Sequence, residues 1–206
     1  MKRFIAIMAL AFAAKFAFAQ SAEASVDKLI DYISKNKIFE IAFTCDIANE
    51  DAGLTDKLEG VLFMDTACFR LQAANLIIID NGIETLNYNG DINEVTMFTN
   101  EDDEDIINPF SLIFNYKEHF NVSVTSTFQS IITLNFVPKE EELLISMQLT
   151  LNSKTNHISS LTIIDNNNTE YDYTITKFIP NAKKDRSIFE LKVDDFPNAT
   201  VIDLRD

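Results

Sequence analysis

The chain has 206 residues, of which 47% are hydrophobic and 24% are charged, and its net charge is −15. So acidic a surface repels phosphate backbones, which argues against nucleic acid as a partner and favours a basic patch on another protein. With only four Gly, four Pro and no low-complexity linker, the sequence fits one continuous domain with a sizeable core.

The N-terminus has the organisation of a secretory signal peptide. Two basic residues precede an apolar run from Phe4 to Phe18, which ends in a small-x-small cleavage pattern before Gln20. A transmembrane anchor is the alternative, but the run is short for a bilayer and contains Lys15. We expect residues 1–19 to be removed and residues 20–206 to form one exported domain. Loss of three basic residues from a chain of net charge −15 leaves −18.

The apolar spacing changes from helical to alternating after the first predicted element. Val26, Leu29 and Ile33 lie on one helical stripe, which predicts a helix from about Ala22 to Lys35. Strict alternation from Phe39 to Ile47 then predicts a strand with one buried face. Further strands are predicted near Lys57–Met64, Cys68–Ala73, Leu76–Asp80, Glu84–Tyr88, Glu94–Thr99, Phe120–Thr127, Ile131–Val137, Leu143–Leu151, His157–Ile164, Glu170–Phe178 and, shorter, Ser187–Lys192.

The strand pattern is interrupted between residues 101 and 114. An acidic run, Glu101 to Asp105, precedes apolar residues with helical spacing around Pro109. Acidic side chains favour a helix N-terminus, so we predict one or two short helices here. Binding of Ca²⁺ is the alternative, but the run lacks the spaced oxygen ligands and the Gly of an EF-hand loop.

No constellation for catalysis or metal binding is visible. His119 and His157 are the only histidines, and their spacing is not that of metal ligands. Nucleophile-elbow, phosphate-loop and dinucleotide motifs do not occur. We therefore expect no enzyme, no metal and no cofactor. Cys45 and Cys68 are the only cysteines; an exported protein can oxidise such a pair, but the strand alternation places them on different faces.

A meander of about eleven strands should curl, and two helical segments have apolar faces that need a partner. An apolar concavity closed by helices is the usual form of a lipid site, although a dry packed core fits the same pattern.

Several motifs follow one another in a recognisable order. Gly60 comes first, then Phe69-Arg70, the apolar run that ends in Asp80-Asn81-Gly82, Leu86-Asn87-Tyr88 and Asn93-Glu94-Val95. After the helical insert come Leu134-Asn135-Phe136-Val137-Pro138, the hairpin from His157 to Asp165, Phe189 and a tail from Phe196 to Arg205. Taken together, this order resembles the LolA family of outer-membrane lipoprotein carriers, in a form similar to its members in the Bacteroidota.

The resemblance implies a fold and an activity. The fold is mostly β (α+β), a strongly curved antiparallel sheet of about eleven strands in an unclosed half-barrel, whose apolar concave face is covered by an N-terminal helix and lid helices. The activity is that of a periplasmic carrier, which shields the acyl chains of lipoproteins between an inner-membrane transporter and an outer-membrane acceptor. We expect a monomer without stable membrane insertion. The alternatives are a carrier or sensor for another lipid or hydrophobic metabolite, and an envelope scaffold that binds no ligand.

The candidate cavity residues are large and apolar, and many are Phe or Met, which adapt to flexible chains without hydrogen-bond demands. They are Phe43, Met64, Phe69, Leu71, Leu86, Tyr88, Met97, Phe110, Ile113 and Phe114. Ordinary core packing is the alternative for each. Arg70 is out of phase with them and is expected to pair with an acid or to contact a partner. Two departures from the family are clear. Asp65-Thr66 stands where well-studied carriers have the Arg-Pro that helps to latch the lid, and Leu86 stands where their aromatic strand has its Trp.

Overall fold

A computed structural model describes residues 22–100, 110–139 and 144–205. The predicted signal peptide and the acidic run from Glu101 to Asp105 lie outside these ranges. Within them, no helix is both long and apolar enough to span a membrane.

The described chain is dominated by twelve strands. The N-terminal helix, α1, spans residues 22–34, and a second helix, α2, spans Tyr116–His119. Short 3-10 turns cover Ser111–Ile113, Arg186–Phe189 and Val193–Asp195. The strands are β1 (Phe39–Asn49), β2 (Leu54–Met64), β3 (Phe69–Ala73), β4 (Leu76–Asp80), β5 (Glu84–Asn89), β6 (Glu94–Thr99), β7 (Phe120–Phe128), β8 (Ile131–Pro138), β9 (Leu144–Asn152), β10 (His157–Asp165), β11 (Glu170–Ile179) and β12 (Thr200–Asp203).

All twelve strands join one sheet that does not close. Their order is β12-β6-β5-β4-β3-β2-β1-β11-β10-β9-β8-β7, so β12 and β7 are the two edges. Neighbours are antiparallel except that β12 runs parallel to β6. The mostly β class and the open sheet are therefore confirmed, and the predicted count of about eleven strands is close.

The C-terminal segment differs from its prediction. A strand was expected at Ser187–Lys192, but this stretch contains a 3-10 turn at Arg186–Phe189. The Asp185 side chain caps that turn by accepting a hydrogen bond from the Ser187 backbone N–H. Local bonds of this kind compete with the hydrogen bonds that join neighbouring strands. The last strand forms later, at Thr200–Asp203.

The curvature of the sheet has local causes. Register shifts occur between Ala42 and Phe43 in the β1–β11 pair and between Val124 and Ser126 in the β7–β8 pair, and such bulges bend a strand. Gly60 lies opposite Phe43, and a Cβ at Gly60 would stand 2.5 Å from the tip of the Phe43 ring. Glycine at this position therefore leaves the space that this ring occupies against β2.

Helix α1 packs on one face of the sheet, which we call the inner face. Its buried residues Ala22, Val26, Leu29 and Ile33 recur at helical spacing and belong to the same cluster as side chains from β1, β3 and β9. The opposite side of the sheet is called the outer face. The predicted helix and its apolar stripe are thus confirmed, and the stripe fixes which face of the sheet is covered.

Candidate functional site

One large apolar cluster occupies the inner face. It takes buried side chains from β1 to β4 and from β7 to β10, as well as from α1 and the segment that follows residue 109. The register explains the continuity, because Leu149 on β9 lies opposite both Leu134 on β8 and Leu161 on β10. Paired residues of antiparallel strands share a face. The result is an apolar interior that extends along the inner face from β4 to β7 and is covered by helical elements.

Seven of the ten predicted cavity residues meet in this cluster. Phe43, Met64, Phe69, Phe110 and Ile113 are buried in it, and Leu71 and Phe114 pack against it while partly exposed. The structure therefore brings most of the predicted set together, on the side of the sheet that α1 covers.

The other three residues, Leu86, Tyr88 and Met97, do not join them. They lie in a separate cluster with Val95 and Phe196, on the outer face. Leu86 is paired with Ile79, and Ile79 is paired with Arg70, so these three residues share one face of the sheet. Leu71, the residue after Arg70, lies on the opposite, inner face. Their assignment to the same cavity is corrected on this ground. The C-terminal segment covers them, and the Phe196 ring stacks on Tyr88 with 4.4 Å between centroids.

The elements that cover the inner face are tied to each other by a polar link that the sequence did not reveal. The Tyr116 hydroxyl of α2 donates to the Asp27 carboxylate of α1 over 2.9 Å, and the Lys117 ammonium lies 2.9 Å from the other oxygen of that carboxylate. Lys117 lowers the pKa of Asp27 below its ordinary value. Burial, followed by Asp27, raises the pKa of Tyr116, which keeps its hydroxyl protonated as a donor.

The position of the family latch has a different role here. Asp65 accepts hydrogen bonds from the backbone N–H groups of Ala67 and Cys68, each at 2.8 Å. Its second carboxylate oxygen pairs with Arg186 of the C-terminal segment. Asp65 thus orders the turn between β2 and β3 and ties it to the chain that crosses the outer face, and no bond from it to α1 or α2 is found among the described residues.

Both cysteines are buried as free thiols. Cys45 belongs to the inner cluster, and burial raises the pKa of its thiol to about 11. Cys68 packs instead with Ile38 and Phe189, and its sulfur accepts a hydrogen bond from Arg186 at 3.2 Å. The two thiols therefore occupy different clusters, as the strand alternation indicated.

Two polar grooves lie beside the C-terminal segment. One, of about 550 Å³, is lined by residues that include Cys68, Glu84 and Arg205. The other, of about 450 Å³, includes Lys37 and Lys184. Arg186 contributes to both, and its guanidinium is already paired with Asp65. Arg70, predicted to face outward, is opposite Phe63 and Ile79 on the outer face and forms no ion pair within the described ranges.

Fold and site together define a class: an open, curved antiparallel sheet whose apolar inner face is covered by helical segments. The LolA family, described as outer membrane lipoprotein carrier protein LolA, matches residues 68–192. Because this match spans more than half of the sequence, the chain belongs to the LolA family. The curated proteins contain no match to it.

One solved structure agrees with this fold, and two others show weaker similarity. An uncharacterised conserved protein from Thermus thermophilus is similar with a TM-score of 0.57 and 9% identity, over 87% of this chain and 99% of that one. A LolA superfamily protein from Nitrosomonas europaea gives 0.48 and 7%, over 82% and 97%. A putative outer membrane lipoprotein-sorting protein domain from Vibrio parahaemolyticus gives 0.47 and 6%, over 84% and 97%. At 9% identity, the likeness to the Thermus protein concerns the fold alone.

Proposed function

We propose that this protein is a periplasmic carrier that shields the acyl chains of lipoproteins against the inner face of its sheet. The observation that carries the proposal is the continuous apolar inner cluster in a member of the LolA family. Burial of each acyl CH₂ on such a surface contributes about 0.8 kcal/mol. The role is non-enzymatic, because binding and release alone move the cargo.

The inner face is filled by the protein itself. Phe110 and Ile113 are buried in the inner cluster, and so are Ala22, Val26, Leu29 and Ile33 of α1. An acyl chain therefore has to displace these covering side chains, and the contacts it makes replace theirs. Exchange of one apolar partner for another keeps the energetic difference between the empty and loaded states small, which suits a carrier that must release its cargo.

The remaining parts of the proposal follow from the sequence and the family. Residues 1–19 act as a cleaved export signal, residues 20–206 form the mature domain in the periplasm, and the cargo is accepted from an inner-membrane transporter and delivered to an outer-membrane acceptor. Seven residues are proposed to contact the acyl chains: Phe43, Met64, Phe69, Leu71, Phe110, Ile113 and Phe114.

A carrier or sensor for a different lipid or hydrophobic metabolite is the second candidate. One observation favours it: Asp65, at the position of the family latch, pairs with the C-terminal segment and bonds to neither covering helix in the described chain. An envelope scaffold with a filled core is the third candidate, favoured by the low exposure of the inner face.

The deciding experiment is analysis of native cargo. The protein is purified from its own periplasm without detergent, and the bound material is identified by mass spectrometry. Acylated peptides support the lipoprotein carrier, and other lipids alone support the second candidate. Absence of any lipid, together with no uptake of a fluorescent fatty acid by the purified protein, rules out both carriers and leaves the scaffold.

A further inference from the structure

The inner face changes from apolar to polar at the β4–β6 end of the sheet. Six paired positions on β5 and β6 face inward: Thr85, Asn87, Asn89, Glu94, Thr96 and Phe98. Five of these side chains are polar. The apolar residues of the same two strands point outward, where the C-terminal segment covers them. The polar stretch therefore adjoins the apolar cluster directly, because Asn87 is opposite Ile78 on β4 and Ile78 belongs to that cluster.

One polar atom in this stretch is buried without a partner. The Asn87 side-chain oxygen is inaccessible to solvent and accepts no hydrogen bond from any residue that the structure describes. Two of its neighbours on the same face do have partners. The buried Thr85 hydroxyl donates to Asn100 at 2.8 Å, and the Asn89 oxygen accepts from the Asp91 N–H at 3.0 Å. A buried acceptor without a donor is costly, so a ligand that supplies a donor gains more here than at the solvated surface.

The charges of the stretch limit the chemistry of that donor. The ionisable side chains that face inward on β4, β5 and β6 are Asp80 and Glu94, both acidic. No Lys or Arg occupies an inward position on these three strands. From these three strands an anionic head group would meet two carboxylates and no cation, whereas a neutral N–H group meets an oxygen that lacks a partner.

We infer that the inner face binds an amphipathic molecule in a fixed orientation, with the acyl chain on the apolar cluster and an amide N–H next to the chain donating to the Asn87 oxygen. This inference rests on the proposed function and specifies its ligand class as amide-linked acyl chains, such as those of an acylated peptide, in preference to fatty acid anions. Asn87 is then a residue that determines specificity at the boundary between the two surfaces.

The test uses two ligands of nearly identical shape, N-methyldodecanamide and methyl dodecanoate, which differ in that only the amide can donate. Their affinities are measured by displacement of an uncharged fluorescent apolar dye from the full mature chain. The wild type is expected to prefer the amide by about fivefold or more, the usual effect of one net hydrogen bond. Asn87→Leu should reduce this ratio to about one through loss of amide affinity.

Stability and two further variants separate this effect from damage to the fold. Asn87→Leu removes a buried oxygen without a partner, so its melting temperature should be no lower than that of the wild type. Asn87→Asp keeps an acceptor and should keep the preference. Asn135→Leu, on β8 opposite Ser123 and Gln148, makes the same change on the outer face and should leave the ratio unaltered.

Each outcome has a distinct meaning. Equal affinity of the wild type for amide and ester, or an unchanged ratio in Asn87→Leu, overturns the inference and leaves the acyl carrier intact. If neither ligand displaces the dye, the carrier proposal fails together with it.

Discussion

Phe69 lies where the apolar part of the inner face meets its polar part. It is opposite Met64 on β2 and opposite Asp80 on β4, and 8% of its surface is exposed. A ring in this position packs like a core residue while remaining next to the polar stretch. From the sequence alone, Phe69 fits either the cavity or ordinary core packing, and in the structure it is buried in the inner cluster that the acyl chains are proposed to contact.

Phe69→Glu is expected to destabilise the fold by about 2–4 kcal/mol, because a carboxylate at this depth is not fully solvated and also faces Asp80. The measurement is thermal unfolding of the variant beside Ile83→Glu, a control at a residue that is 73% exposed. The control should unfold within about 0.5 kcal/mol of the wild type. A Phe69→Glu protein with an unchanged midpoint but no dye binding would instead place the ring at an open mouth.

Asn87 illustrates what the alternation of polar and apolar residues cannot predict. Polar and apolar residues alternate along β5, and the pattern identifies its two faces correctly. The pattern does not say which face is inner, because β4 is apolar on both sides, with Ile78 in the inner cluster and Ile79 fully buried on the other side. The assignment of Leu86, Tyr88 and Met97 to the cavity failed at this step.

At the scale of elements, the two helices that cover the inner face are joined through Asp27. Its carboxylate receives the Tyr116 hydroxyl and the Lys117 ammonium, so α1 and α2 are held as one cover. The ion pair is exposed, with side-chain exposures of 61% and 48%, and exposed pairs contribute little. The hydroxyl bond matters more, because Tyr116 is 2% exposed.

Loss of this link should loosen the cover and should change the response to acid. Tyr116→Phe is expected to cost about 1 kcal/mol and to accelerate dye uptake. The pKa of Asp27 is lowered in the folded state from an ordinary value of 3.8, so its contribution is present above that value and is lost as the pH falls below it. Melting temperatures between about pH 6 and pH 3 should therefore fall less steeply in Asp27→Asn than in the wild type. Parallel curves for the two proteins would contradict this role.

Most elements could be predicted because their patterns are local. The alternation from Phe39 to Ile47 and the helical stripe of α1 correspond to the observed β1 and α1. The C-terminal segment could not be predicted in this way, because its course depends on distant partners. Thr200–Asp203 pairs in parallel with Glu94–Met97, and the Arg186 that anchors the segment bonds to Asp65, far away in sequence. Neither contact leaves a periodic signal.

At the scale of the whole molecule, one sheet supports apolar clusters on both of its faces. The inner cluster extends from β4 to β7 through the centre of the sheet, and the cluster around Leu86 and Phe196 lies on the outer face at the β4–β6 end, beneath the C-terminal segment. A third, smaller cluster contains Ile38, Cys68 and Phe189. The segment then continues as β12 along the edge of β6, which protects that edge from pairing with another chain. The apolar contacts that stabilise this end of the sheet therefore lie on its outer face, so the residues on its inner face can be polar.

This arrangement predicts that stability and ligand binding can be separated by face. Phe196→Ala removes a ring that is stacked on Tyr88 in the outer cluster, and Leu149→Ala removes a fully buried side chain from the inner cluster. Each should cost about 2–5 kcal/mol, the usual range for large-to-small changes in a core. Because the two residues share no cluster, the double variant should show additive losses within about 0.5 kcal/mol, as measured by urea unfolding of all four proteins.

Phe196→Ala should bind the apolar dye as the wild type does, whereas Leu149→Ala opens space in the inner cluster and should change the affinity. Strong non-additivity, or dye binding that is altered by Phe196→Ala, would mean that the two faces act as one unit and that the C-terminal segment takes part in holding the ligand.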